Sequence, residues 1–158
     1  MWRVNKKIKR MWRGRGHGVH SPFAFRFITC VLRLKGRYYA SDELDSMPDP
    51  GWHTLLFRLV CEFEPESVEC ASLSDTENRA IALADSRVMV GKSNVPGVVM
   101  RSRKGEVTPY RDIRAVREEW NRKRESMSAG MTFTDGYKGV AVERPDLPRQ
   151  DFEINFRL

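Results

Sequence analysis

The segment from Trp52 to Phe63 constrains the fold of this chain more than any other. Its apolar residues Trp52, Leu55, Leu56, Leu59, Val60 and Phe63 fall at i, i+3, i+4, i+7, i+8 and i+11, the spacing that gathers side chains on one face of an α-helix. A stripe this wide needs a broad apolar partner, and the helix is expected to lie against a β-sheet. Pro65 stops it, because proline lacks the N–H that would continue the ladder. The runs that follow supply the sheet: Val68 to Ala71, Arg87 to Val90 and Gly97 to Met100 are short and rich in β-formers. Between the first two, Ser74 with Glu77 three residues later has the spacing of a capping box for a helix reaching Ala84. Ser93, Asn94 and Pro96 mark a turn between the second and third.

Further along, Thr108 as N-cap and Pro109 as first residue predict a long helix whose inward stripe is Tyr110, Ile113, Val116 and Trp120. Asp135-Gly136 joins Met131 to Thr134 and Gly139 to Val142 as a hairpin, and Phe152, Ile154 and Phe156 alternate as a closing strand. Residues 40 to 51, with Asp42, Asp45, Ser46, Pro48, Asp49, Pro50 and Gly51, read as a polar, turn-rich connection. Helices alternate with strands through the middle and antiparallel strands end the chain, so an α/β fold with a sheet of mixed direction is predicted. With 158 residues, 41% of them hydrophobic, there is material for the core of one domain.

Charge is unevenly placed. The first 37 residues hold 11 of the 28 basic residues and no acid, so everything after Arg37 carries 17 basic against 21 acidic groups, a net −4. A nucleic-acid surface spread over the domain is a poor reading of that distribution, and no specific nucleic-acid partner is expected. Met1, Val4, Ile8, Met11 and Trp12 share one face of a helix otherwise covered by Arg3, Lys6, Lys7, Lys9, Arg10 and Arg13. That basic amphipathic helix fits docking on its own domain or on a second copy, and an anionic membrane surface is the alternative. Cys30, Cys61 and Cys70 lack metal-ligand spacing and read as reduced core thiols, and no run approaches the ~20 apolar residues of a membrane span. A cytoplasmic protein, possible membrane association included, is the expectation.

The stretch His17-Gly18-Val19-His20-Ser21-Pro22-Phe23-Ala24-Phe25 is a shaped loop feeding a helix, in which Ser21 caps, Pro22 is the first helical residue, and Phe23, Phe27, Cys30, Val31 and Leu34 form a stripe that ends before Gly36. This loop behind a basic helix resembles that of a bacterial family of class I S-adenosylmethionine-dependent methyltransferases. Leu55 to Val60 with Phe63, Pro65 and Val68-Glu69 looks like the helix and first strand before that family's cofactor loop. Ala115, Glu119, Trp120 and the runs through Phe156 resemble its last helix and closing strands. The resemblance implies a Rossmann-like methyltransferase sheet, here reduced, with residues 1–37 as a basic helical extension and 38–158 as the α/β domain. It also implies a vestigial cofactor site at Glu69, Ala71, Ser72 and Ser74, with His20 and Ser21 from the loop.

What that chemistry needs is only partly present. A nucleotide-type cofactor requires bare backbone where the first strand turns and a later carboxylate for the ribose hydroxyls. No glycine occurs between Trp52 and Val90, and Val90-Gly91-Lys92 offers no carboxylate. Where the family's late strand ends in acids, this chain reads Arg101-Ser102-Arg103-Lys104, with the opposite charge. His17 and His20, three apart with no acid or thiol nearby, read as structural, as does His53 at a helix start. The expectation is a shortened, catalytically degenerate methyltransferase-like protein that binds or scaffolds a protein partner or a second copy. No metal and no bound cofactor are expected, and no catalytic residue is assigned. An active small-molecule methyltransferase using S-adenosylmethionine and a peripheral membrane module are the rivals.

Overall fold

The computed structural model describes residues 19–95 and 97–158, so the basic helix read in residues 1–13, and His17 and Gly18 of the loop, lie outside the described residues. The elements in chain order are helices α1 (Pro22–Phe27, continued as a π-helical turn Ile28–Leu32), α2 (Ser41–Asp45) and α3 (Pro50–Phe63), then β1 (Ser67–Cys70), α4 (Asp75–Ala84), β2 (Met89–Lys92), β3 (Val98–Ser102), β4 (Gly105–Tyr110), α5 (Arg117–Ser126), β5 (Met131–Thr134), β6 (Gly139–Glu143) and β7 (Gln150–Glu153). The seven strands form one sheet in the order β2-β1-β3-β4-β6-β5-β7. β1 and β2 pair in parallel, as do β5 and β7, and the other neighbours are antiparallel. The mixed direction expected from the sequence is therefore present.

Helix α3 organises the core. Its expected stripe packs with Val68, Val107, Phe133, Val140 and Val142 from the sheet and with Ile154 just after β7. Its other side is also covered: Phe57 joins Ala40, Leu44, Met47 and Ala80 beneath α2 and α4, so every residue from Trp52 to Val60 is buried. The connection read between residues 40 and 51 thus contains a short helix, α2, which folds because Leu44 and Met47 have this second face to bury against. The opposite face of the sheet carries α5, where Trp120 stacks edge-on to Tyr110 at 5.1 Å and packs with Ala141 and Met127. Gly139 makes that contact possible, since a Cβ there would stand 2.8 Å from Ile113 Cγ2 and 2.9 Å from the Trp120 ring.

Ser21 and Ser74 cap as expected: Ser21 Oγ accepts from Ala24 N–H at 3.2 Å, and Ser74 with Glu77 closes a reciprocal box. The stripe of α1 differs from the expected one. Phe27 and Val31 are buried as expected, but because residues 28–32 take the wider π turn, Ile28 and Leu32 join them inside and Cys30 rotates out to solvent. Cys61 lies off the stripe of α3 and is exposed as well, leaving Cys70 as the buried thiol of the three. Residues 22–32 share the hydrophobic cluster of the sheet and α3.

One reading of the middle is corrected. Thr108 and Pro109 do not start a helix; they belong to β4, and α5 begins at Arg117, which leaves Val116 exposed and Ile113 half-buried in the connection. Proline is tolerated in β4 because the pairing with β3 stops at Val107, two residues earlier. The strand after the 93–97 turn runs antiparallel to β1, since five residues cannot make the crossover of at least ~10 residues that a parallel return requires. Arg101 to Lys104 consequently sit at the opposite end of the sheet from the carboxyl end of β1. Strand boundaries shift too: β2 is displaced toward Lys92, and β7 ends at Glu153.

The end of α1 and the C-terminal tail meet on one buried cation. Arg58, 8% exposed in the middle of α3, donates to the carbonyls of Val31 (2.9 Å), Arg157 (2.9 Å) and Leu34 (3.5 Å) and to the Tyr38 hydroxyl (3.1 Å). Val31 belongs to the closing turn of α1 and Leu34 follows it, so the guanidinium satisfies carbonyls left without partners where that helix ends. Replacing Arg58→Met leaves those buried acceptors unpaired and is expected to cost about 3 kcal/mol or more in urea denaturation; a loss under about 1 kcal/mol contradicts the clamp. Gly139→Ala forces the Trp120 ring off the sheet and is expected to cost about 1–3 kcal/mol, read in the same experiment.

Candidate functional site

A cleft of about 880 Å³ opens where the carboxyl end of β1 meets those of β4 and β5. Its floor is Cys70, Ala71 and Ser72, and β3, running the other way, brings Gly97 and Val98 to the same end. Asp49 and Trp52 enter from the first turn of α3, Glu77 from that of α4, and Tyr137 and Lys138 from the β5–β6 turn. The remaining wall is the segment Pro109 to Val116 with Glu119 of α5. This is the crevice beyond the strand ends where open α/β sheets place their ligands.

The residues singled out from the sequence fare differently. Ala71 and Ser72 line the cleft, and both are exposed. Glu69 lies one residue before the strand end and pairs with Arg101 at 3.2 Å. Ser74 is occupied in capping α4, its hydroxyl 2.9 Å from Glu77 Oε2. His20 is exposed and Ser21 caps α1; neither lines the cleft. His53 is a core residue, with Nδ1 2.7 Å from the Asp49 carbonyl and Nε2 3.0 Å from the Thr76 hydroxyl. Among the described residues, no three His, Cys, Asp or Glu side chains gather as a metal-binding group, and no helix is long and apolar enough to cross a membrane.

Most wall carboxylates are held by neighbours. Asp49 accepts from Trp52 N–H at 3.1 Å as the cap of α3, and from Arg111 Nε at 2.9 Å. Burial alone would raise its pKa, but those two donors and the nearby Lys138 hold it below the ordinary carboxylate value. Glu77 is treated likewise: burial opposes ionisation, and Ser74 N–H, Trp52 Nε1 (2.7 Å) and the Ser74 hydroxyl together lower it. Asp112 is held in a fork by Arg114, whose hydrogen bonds lower it to about 2, and that guanidinium also lies 4.1 Å from the centre of the Tyr137 ring. Asp135 accepts the N–H groups of Tyr137 and Lys138 at 2.8 Å each and fixes the hairpin turn.

On the side of β4 that faces α5, two hydroxyls have no hydrogen-bond partner among the described residues. Tyr110 is buried, and its phenol is pushed well above the usual range by burial and then by the charges of Glu119 and Glu106. Thr108, two residues back on the same strand face, is 4% exposed with Oγ1 unpaired. Tyr110, Thr108, Glu119 and the Asp112–Arg114 pair went unrecognised in the sequence. The signal was Thr108-Pro109, which serves equally as a helix start and as the tail of a strand.

Asp49 links the cleft to the fold, and its sign follows from its lowered pKa. A carboxylate stabilised in the folded state contributes fully above its unfolded value, and the contribution is lost as pH falls through the lowered one. Asp49→Ala is expected to cost about 1 kcal/mol at neutral pH through the lost cap. The gap between the variant and the unmodified protein should shrink as pH falls below 3.8, Asp49's ordinary value. Urea denaturation across that range measures it, and a gap independent of pH contradicts the assignment.

No protein-family model, curated protein or solved structure matches this chain, so the cleft's own geometry and chemistry are what speak to function.

Proposed function

We infer that the protein is a catalytically degenerate relative of class I methyltransferases, on a reduced Rossmann-like scaffold, that acts by binding rather than by methyl transfer. The observation that carries this reading is the cleft at Cys70 to Ser72, at the carboxyl end of a strand that begins a parallel strand–helix–strand unit, β1–α4–β2. That is the position a nucleotide-type cofactor takes in doubly wound sheets. Its furnishing has changed. Side chains of Ala71, Ser72 and Leu73 occupy the turn where such a cofactor needs bare backbone. The end of β2, where a ribose carboxylate is needed, carries Lys92 in register with Cys70. Of the cleft's acids, Asp49 and Asp112 are tied to arginines. Such a module would present its ligand, or the cleft itself, to a protein partner or a second copy of the chain.

The rival with an observation in its favour is a working methyltransferase of a small molecule, and that observation is the retained cleft. Calorimetric titration with S-adenosylmethionine separates the two. Two ribose hydroxyls desolvated without partners lose ~1 to 3 kcal/mol each, so affinity is expected to fall about two orders of magnitude or more below a functional site. A micromolar dissociation constant, weakened by changing Ser72, restores the enzyme.

A further inference from the structure

Beside the cleft lies a groove of about 320 Å³ on the α5 side of β4, and Tyr110 and Glu119 line both spaces. Each of the other cleft carboxylates already has its partners: Asp49 its cap and Arg111, Glu77 Trp52 and Ser74, Asp112 Arg114, and Asp135 its turn. Glu119 is the exception. It is half-buried, and it forms no hydrogen bond or ion pair among the described residues. Its Oε1 faces Gly97 across the opening, where an added Cβ would stand 3.9 Å away. The cations nearest along the groove are engaged or outside: Lys123 Nζ is held between Glu106 (2.9 Å) and Glu143 (2.8 Å), Arg101 pairs with Glu69 and Glu106, and Arg122 is exposed.

β4 adds two more groups without partners. Glu106, Thr108 and Tyr110 alternate onto this face, while Val107 points into the core on the other. Buried hydroxyls are nearly always hydrogen-bonded, so the unpaired Thr108 Oγ1 facing the groove marks a missing partner, which a donor on a ligand can supply. Among the described residues, a carboxylate without a cation, a hydroxyl without a partner and a phenol without a hydrogen bond all border one space. The cleft wall counts five carboxylates, Asp49, Glu77, Asp112, Glu119 and Asp135, against three basic groups, Arg111, Arg114 and Lys138. What would complete it is a positively charged group with several N–H donors. The exposed Tyr137 ring offers surface for the body attached to it, and the buried Trp52 and Tyr110 border the same cleft.

The geometry points to an amine as the ligand: a primary ammonium seated on Glu119 beside Tyr110 and Thr108, with an aromatic or alkyl body along the cleft toward Trp52 and Tyr137. This rests on the reading of the cleft as a binding site and names the class of molecule it takes. The ammonium donates to the Glu119 carboxylate and to the Thr108 and Tyr110 oxygens, and a charged pair formed out of water is stronger than a neutral contact.

Calorimetric titration of the full chain with tyramine, its neutral counterpart 2-(4-hydroxyphenyl)ethanol and its acidic counterpart 4-hydroxyphenylacetate tests it. Tyramine is expected to bind about tenfold or more tightly than the alcohol, and the acid most weakly. Glu119→Gln should remove the difference between amine and alcohol, and Glu118→Gln, on the exposed face of α5, should preserve it. Thr108→Val should weaken the amine severalfold and leave the alcohol unchanged. Circular dichroism checks that the variants fold, and the three-ligand series on the unmodified protein stands without them. Equal affinity for the three, no binding of tyramine, or an amine preference that survives Glu119→Gln overturns the inference. Tight S-adenosylmethionine binding overturns the degenerate reading and leaves the tyramine comparison to decide this one.

Discussion

The structure depends on Arg58. A guanidinium in the middle of a helix buried on both faces would be ruinous without partners, and here the partners are main-chain carbonyls and a phenol. Those acceptors come from the end of α1, the turn after it and the next-to-last residue of the chain. A single buried charge thereby closes three segments over α3, and Arg33 Nη1 reinforces the closure by donating to the Asn155 carbonyl at 2.7 Å. Because Arg58 forms no ion pair with a carboxylate among the described residues, the arrangement acts through directed donors rather than charge neutralisation. It specifies where the tail lies, which an apolar residue at position 58 could not do.

With α3 fixed, the rest of the sheet has two differently furnished faces. The α3 side is packed by aliphatic and phenylalanine side chains, among them Phe27 and Phe133 with ring centres 4.5 Å apart. The α5 side is thinner, held by Trp120 over Gly139 and by ion pairs centred on Lys123. Polar strand residues are tolerated on that thinner side, which is why Thr108, Tyr110 and Glu119 come together there.

Much of this was legible in the sequence where one local signal had one meaning. The stripe of α3, the Ser74–Glu77 box and the Asp135-Gly136 hairpin each satisfy a short-range rule, and each appears where that rule puts it. Thr108-Pro109 failed because capping and strand termination use the same residues, and long-range pairing with β6 decided between them. The direction of β3 is a property of loop length weighed against crossover geometry, and composition does not carry it. The π turn that exposes Cys30 is likewise invisible to a 3.6-residue periodicity. Of the candidate site, Ala71 and Ser72 were legible because they follow a strand end. Its opposite wall was lost with the misreading of β4.

The two ends of the sheet are unlike. At β7, Asp151 is gripped by Arg149 and Arg124, and charged side chains guard the outer edge. At β2, all four residues are exposed, Met89 by 70% and Val90 by 45%, and the one charge on the strand is Lys92. A sheet guarded at one margin and open at the other offers its backbone for strand pairing at β2. Pairing through β2 in two copies would consume the open margin of each, so strand pairing of that kind would stop at two.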